Sequence, residues 1–191
     1  SGHLVQALVP YDDSNPYDYE GIIQFAEQSF FDEKGVDITE SVRFYIAGVL
    51  AGASIDESAT FHPIEFVKDV TPSRTVQELE QLKLNGVLFV RRRKNGDWVI
   101  EEALTSLTTY TADRSSAYAS NKVIRVLKVT HDWVIETFEG NYIGRGNTEV
   151  IRDVFKSEIA NLMSQYETRG VIQNFDAKTD IAVRVGNDPS T

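Results

Sequence analysis

Two short apolar runs, Ile22-Ile23-Gln24-Phe25 and Gln28-Ser29-Phe30-Phe31, are followed by the polar turn Asp32-Glu33-Lys34-Gly35. This pattern predicts two short strands closed by a turn. An earlier apolar run, Leu4 to Val9, has no partner close by in sequence, and the loop Tyr11–Asp18 comes after it. Thr39 is placed to cap a helix over 41–53, whose small residues Ala47, Gly48, Ala51 and Gly52 would let another backbone come near. Thr75 with Glu78 spells a capping box ahead of a helix over Val76–Leu84, which Asn85-Gly86 ends. Val87–Arg93 and Trp98–Glu102 flank Lys94-Asn95-Gly96-Asp97, the strongest hairpin signal in the chain. Leu104–Thr111 reads as a further strand or an extended segment.

Two long amphipathic helices are expected next. The first runs over about 119–138, with Val123, Val126, Leu127, Trp133, Val134 and Phe138 at helical spacing. The second follows a turn at Gly144-Arg145-Gly146-Asn147, with Asn147 as its cap, and carries Val150, Ile151, Val154, Phe155, Ile159, Leu162, Met163 and Tyr166. Both stripes read as core. Val171–Phe175 and Ile181–Val185 read as closing strands. The expected fold class is α/β (α+β): a mixed β-sheet packed against two long amphipathic helices, with shorter helices and a β-hairpin.

Composition changes this picture little. The 191 residues are 41% hydrophobic and 25% charged, an ordinary balance for a chain that buries a core. Without cysteine there is neither a disulfide nor a thiol nucleophile. No apolar run approaches the ~20 residues of a membrane span. The net charge of −10 falls unevenly, with 15 acids against 5 bases in residues 1–86 and 14 of each in residues 87–191. Such a balance opposes binding to nucleic acid or an anionic membrane and suits an acidic face meeting a basic patch on a neighbour. Ser1-Gly2-His3 reads as a tag scar, residues 4–16 as a flank or linker from an upstream region, and residues 17–191 as one core domain, in a fragment cut at both ends.

Catalytic chemistry finds little support. His131-Asp132 are helix neighbours about 100° apart and do not face each other. His62-Pro63 has nothing beside it in sequence to activate. The loop Gly144–Asn147 precedes a helix, where phosphates bind, but lacks the Gly-Lys-Ser/Thr of a P-loop. Glu101 and Glu102 point to opposite faces of a strand. Arg91-Arg92-Arg93-Lys94 is the one basic cluster, and alternation in a strand splits its side chains between two faces. No catalytic residue, cofactor site or metal site is predicted, and the chain is not expected to be an enzyme.

The order of motifs resembles the tail sheath proteins of contractile bacteriophages, prophage elements and phage-like bacteriocins. The resemblance runs through Asp18-Tyr19-Glu20-Gly21-Ile22-Ile23, Ile46–Ala53, Ser58-Ala59-Thr60-Phe61, Val87-Leu88-Phe89, Val99-Ile100-Glu101 and Leu104–Thr108. It is closest at Asn121-Lys122-Val123-Ile124-Arg125-Val126-Leu127, then continues through Tyr142-Ile143-Gly144 and Phe155–Ile159 to Gly170–Phe175. Asp56 stands where that family usually has Asn, and Ala103-Leu104 where it often has Ile-Asn. The resemblance implies a structural subunit that polymerises as stacked hexameric rings around a tail tube. Contraction by subunit rearrangement would drive the tube through a host envelope. Its partners would be other copies of itself, the tail tube protein and the baseplate, in a virion tail assembled in the bacterial cytoplasm. In that family terminal arms pair with the sheets of neighbours. The candidate inter-subunit contacts are therefore Leu4, Val5, Leu8, Val9, Ile181, Val183 and Val185 near the ends, with Arg91, Arg92 and Arg93 as the basic patch. The sheath of a bacterial contractile secretion machine, or a small-ligand-binding module or hydrolase using the Gly144–Asn147 loop, are the alternatives.

Overall fold

The structure is a computed structural model and describes residues 6–14 and 16–184. It divides into two compact units, residues 1–125 and 126–191. The mixed α/β character expected from the pattern is present, with the strands shared among three small sheets.

In the first unit, β1 (Ala7–Pro10), β2 (Ile22–Phe25) and β5 (Val87–Leu88) form a parallel sheet with β2 in the middle. The remaining strands are β3 (Ser29–Phe31), β4 (Asp69–Thr71), β6 (Val90–Arg92) and β7 (Trp98–Ile100). They pair antiparallel, β3 with β4 and β6 with β7. Helix α1 (Thr39–Gly52) buries Val42, Ile46 and Leu50, one residue per turn. These join Ile23, Phe25, Phe30, Ile64, Leu88, Val90 and Ile100 in the main core cluster. Helix α2 (Val76–Leu84) presses Leu79 and Leu82 onto a second cluster with Ala26, Val87 and Phe89. Val87 and Leu88 enter different clusters because successive strand residues point to opposite faces. Each of these buried aliphatic side chains contributes about 1.5–3 kcal/mol.

Local signals are realised where the chain satisfies its own hydrogen bonds. The capping box is complete: the Glu78 N–H donates to Thr75 Oγ1, and the Thr75 N–H donates to the Glu78 carboxylate at 2.7 Å. Four expectations need correction. Val87–Arg93 is not one strand. It changes sheet at Phe89, whose carbonyl accepts from the Glu101 N–H (3.0 Å). Thr39 is the first helical residue and not the cap. Its hydroxyl donates to Asp37 Oδ1 and accepts from the Phe30 N–H, tying α1 to β3. Thr148 replaces Asn147 as cap of the second long helix, because its hydroxyl reaches the Ile151 N–H while Asn147 Oδ1 accepts from Arg152. Val171–Phe175 and, within the described residues, Ile181–Arg184 are not strands, since no other strand lies in register beside them.

Leu104–Thr111 is extended but unladdered, and its backbone groups are satisfied one by one. The Ser106 N–H donates to the Ile22 carbonyl, and the Thr105 N–H to the Ala119 carbonyl, both at 2.8 Å. Asp18 Oδ1 accepts from the Thr108 and Thr109 N–H groups at 2.8 and 3.1 Å. At residue 125 an arginine side chain closes the other end of α1. The Arg125 guanidinium donates to the carbonyls of Leu50, Ser54 and Glu57, so a cation meets the negative end of the helix dipole.

The second unit contains most of α3 (Asn121–Asn141) and all of α4 (Glu149–Thr168). Phe138, Tyr142 and Phe155 interlock near the turn, with Tyr142 and Phe155 centroids 4.9 Å apart. The stripes expected as core are only partly so: Val150 is 70% exposed and Val154 46%. Among the described residues of this unit only Tyr142 and Tyr166 are buried, so most of each stripe is uncovered or half-covered.

Two measurements test this account. Gly86 has φ +66°, and a Cβ there would stand 2.8 Å from the Thr105 carbonyl oxygen. Gly86→Ala should cost about 2 kcal/mol or more in urea unfolding, and a neutral result would contradict the packing. Burial pushes the Asp18 carboxyl up, but hydrogen bonds from Thr109 and Thr108 outweigh it, and the pKa lies below the ordinary value. A carboxyl with a lowered folded pKa stabilises fully above its unfolded value of ~4 and ceases to do so as pH falls through the folded one. Asp18→Asn should lower the melting midpoint at pH 7 by about 2–4 °C. Its deficit against the unaltered chain should close in acid, and a deficit that persists there would refute the assignment.

Candidate functional site: an open sheet edge and a basic hairpin

Among the described residues β1 is an end strand of its sheet and pairs on one side only, with β2. The Ala7 N–H donates to the Gly21 carbonyl and the Tyr11 N–H to the Phe25 carbonyl, so the odd-numbered residues face β2. Alternation then turns the Leu8 N–H and C=O outward, together with the Pro10 C=O. Pro10 has no N–H, which limits how far a ladder on that edge can extend. Leu8 and Val9 are half-buried, and Leu8 packs against the main core. Leu8 therefore anchors the strand through its side chain and offers only its backbone. Leu4, Val5 and Val185 lie outside the described residues. Ile181 and Val183 are half-buried in an irregular segment of the second unit.

Other parts of the chain meet the β6–β7 hairpin along β7 and at Val90 of β6. On the β7 side the Ile64 N–H donates to Trp98 O, the Phe61 N–H donates to Ile100 O, and the Ile100 N–H donates to His62 O. On the β6 side the side-chain amide of Gln28, which is 4% exposed, imitates a strand. Its Nε2 donates to the Val90 carbonyl (2.8 Å), and its Oε1 accepts from the Val90 N–H (2.9 Å). Sequence reasoning gave Gln28 only a place in a strand. Its glutamine identity beside an apolar run was the one available signal.

The basic cluster is not uniform. Arg91 is ion-paired to Glu101. The Arg92 Nε donates to the Gly96 carbonyl, and its guanidinium lies 6.0 Å from the Trp98 ring. Arg93 lies over Phe61 at 5.2 Å, a cation–π contact on an exposed ring. Arg92, Arg93 and Lys94 are exposed and Arg91 half-buried, so the outward positive charge sits at the turn.

Among the described residues, His62 shares a hydrogen bond with the Tyr45 hydroxyl (2.9 Å), and His131 contacts its neighbour Asp132 at 3.4 Å. Arg145 of the Gly144–Asn147 loop stacks on Tyr142, while Arg152 donates to Asn147. Among the described residues no group of three or more His, Asp or Glu is placed to hold a metal ion, and no helix is long and apolar enough to cross a membrane.

Residues 113–191 match the phage tail sheath C-terminal domain family. The phage-like element PBSX protein XkdK of Bacillus subtilis is 28% identical over 180 residues, which are 90% of this chain and 38% of that protein. The crystal structure of a sheath tail protein from Desulfitobacterium hafniense superposes with a TM-score of 0.81 at 28% identity, covering 92% of this chain and 41% of that one. The anti-feeding prophage helical sheath in its contracted state shares the fold, with a TM-score of 0.70 at 12% identity, over 94% of this chain and 50% of that one. The chain thus spans about two-fifths of the first two relatives. By that match and these likenesses, the chain is similar over most of its length to a phage-like element protein and to a sheath tail protein, and residues 113–191 match the phage tail sheath C-terminal domain family.

Proposed function

We propose that this chain is the body of a contractile tail sheath subunit, which polymerises with its own copies as stacked hexameric rings around a tail tube. The observation that carries the reading is the unpaired β1 edge in a chain related to sheath tail proteins. An extended segment from a neighbouring copy adds to β1 through the Leu8 N–H and C=O, completing the ladder that β2 begins. Such a contact joins two different surfaces, so it closes into rings laterally and propagates axially. Residues 17–191 form the sheath core on this reading, and β1 is where the preceding flank enters the sheet. The baseplate and the tube protein are further partners, and the assembly stands in the tail of a phage-like particle.

The hairpin turn supplies charge to the same assembly. Arg93 and Lys94 reach a neighbour, while Arg91 is retained by Glu101 within its own chain. The surplus of acids in residues 1–86 is the complementary surface. Contraction is a rigid-body rotation of subunits about the added strands, with no nucleotide consumed. No catalytic role is assigned, in keeping with a structural family.

Electron microscopy of the full-length protein tests the assembly. Hollow ringed tubes are expected from the unaltered protein. Leu8→Pro removes the outward N–H together with a side chain that packs on the core, so it is read against Leu8→Ala, which keeps the N–H: tubes should be lost in a folded Leu8→Pro protein and kept in Leu8→Ala. Tubes that persist in a folded Leu8→Pro protein would rule out strand addition at β1.

A further inference from the structure

The chain contains two Asn-Gly sequences, Asn85-Gly86 and Asn95-Gly96, which the fold treats in opposite ways. Asn-Gly is the dipeptide most open to intramolecular attack by the following backbone nitrogen on the asparagine amide carbon, because glycine has no side chain to obstruct the approach. We propose that Asn95 is a site of spontaneous deamidation, producing isoaspartate and aspartate at the hairpin turn, and that Asn85 is protected.

The reaction balances without any partner other than water. The Gly96 nitrogen forms a bond to Asn95 Cγ and loses its proton, while the Cγ–Nδ2 bond breaks and the side-chain nitrogen leaves as ammonia. Water then opens the resulting succinimide at either carbonyl. The carboxylate so formed adds one negative charge beside Arg92, Arg93 and Lys94.

The turn geometry favours this course. Asn95 is exposed, and the Asp97 backbone N–H donates to Asn95 Oδ1 at 3.2 Å. A donor on that oxygen draws electrons from Cγ and stabilises the oxyanion that forms on attack. The Asn95 amide is held at one end of the turn by Nδ2 donating to Asp97 Oδ2 (2.6 Å). The Gly96 N–H is bonded to the Arg93 carbonyl (2.9 Å), one contact at an exposed tip. A would-be Cβ on Gly96 meets nothing nearer than the end of the Arg92 side chain, 3.8 Å away, so the glycine has room to move.

Both amides are hydrogen-bonded, Asn95 to Asp97 two residues away in the same exposed turn, and Asn85 to α2 and to Tyr11 far off in sequence. The Asn85 Nδ2 donates to the Tyr11 hydroxyl (2.9 Å), and its Oδ1 accepts from Gln81 Nε2 (3.0 Å). Its backbone N–H is tied to the end of α2. Gly86 is buried against the backbone of Thr105 and Ser106, which blocks the swing that attack requires.

Peptide mapping by mass spectrometry after incubation of the folded chain at pH 8 and 37 °C tests the proposal, with the unfolded chain in urea beside it. In the folded chain Asn95 should convert roughly tenfold faster than Asn85, the effect of one hydrogen bond's worth of extra barrier. In urea the two rates should converge. Enzymatic methylation of isoaspartate should label the Asn95 peptide, and Asn95→Gln should abolish that label. Equal rates in the folded chain, or faster loss at Asn85, would overturn the assignment. So would an Asn95 that stays intact when folded but reacts in urea. The test does not depend on the sheath reading, since it needs only the isolated chain.

Discussion

Saturation of β2 on both sides is the constraint around which the first unit is arranged. Ile22–Phe25 runs between β1 and β5, and every polar backbone group of a central strand must find a partner. The Ile22 carbonyl takes the Ser106 N–H, and the Leu88 carbonyl takes the Ala26 N–H just beyond the strand. Residues far apart in sequence are thereby drawn to one short segment. Ile23 and Phe25 are each 3% exposed, so the same strand that organises the hydrogen bonds also floors the main core. β1 inherits its position from β2, and its outward edge exists only because nothing of the described chain continues the ladder past it.

How much of this was legible in the sequence follows the range of the interactions. The capping box at Thr75, the helix stop at Asn85-Gly86 and the hairpin around Asn95-Gly96 are set within a few residues, and each stands where the pattern put it. The strand change at Phe89 was invisible because Val87–Arg93 is uniformly suited to a strand. What splits it is the location of two different partners, β2 and β7. Val171–Phe175 shows the reverse failure: apolar residues suited to a strand remain irregular where no partner arrives. Leu8 was picked for its apolarity, yet its side chain serves the core and its backbone forms the edge. Arg91 was grouped with Arg92 and Arg93, though Glu101 singles it out.

The helical unit obeys a different economy. Its aromatic cluster lies near the turn, and burial together with Glu158 raises the Tyr142 hydroxyl above its ordinary pKa. Apolar residues such as Val150 remain at the surface because two helices have too few faces to enclose them. Periodicity identifies the helices in such a unit, but it overstates how much of each stripe is interior.

Gln28 has a consequence for the life of the chain before it meets its partners. By filling the donor and acceptor at Val90 with an amide of its own, while residues 61–64 line the opposite strand, the hairpin presents no free zipper on which stray polypeptide could nucleate. At Val90 and along residues 61–64 the chain thus occupies with its own groups the positions at which a foreign strand would add to this hairpin.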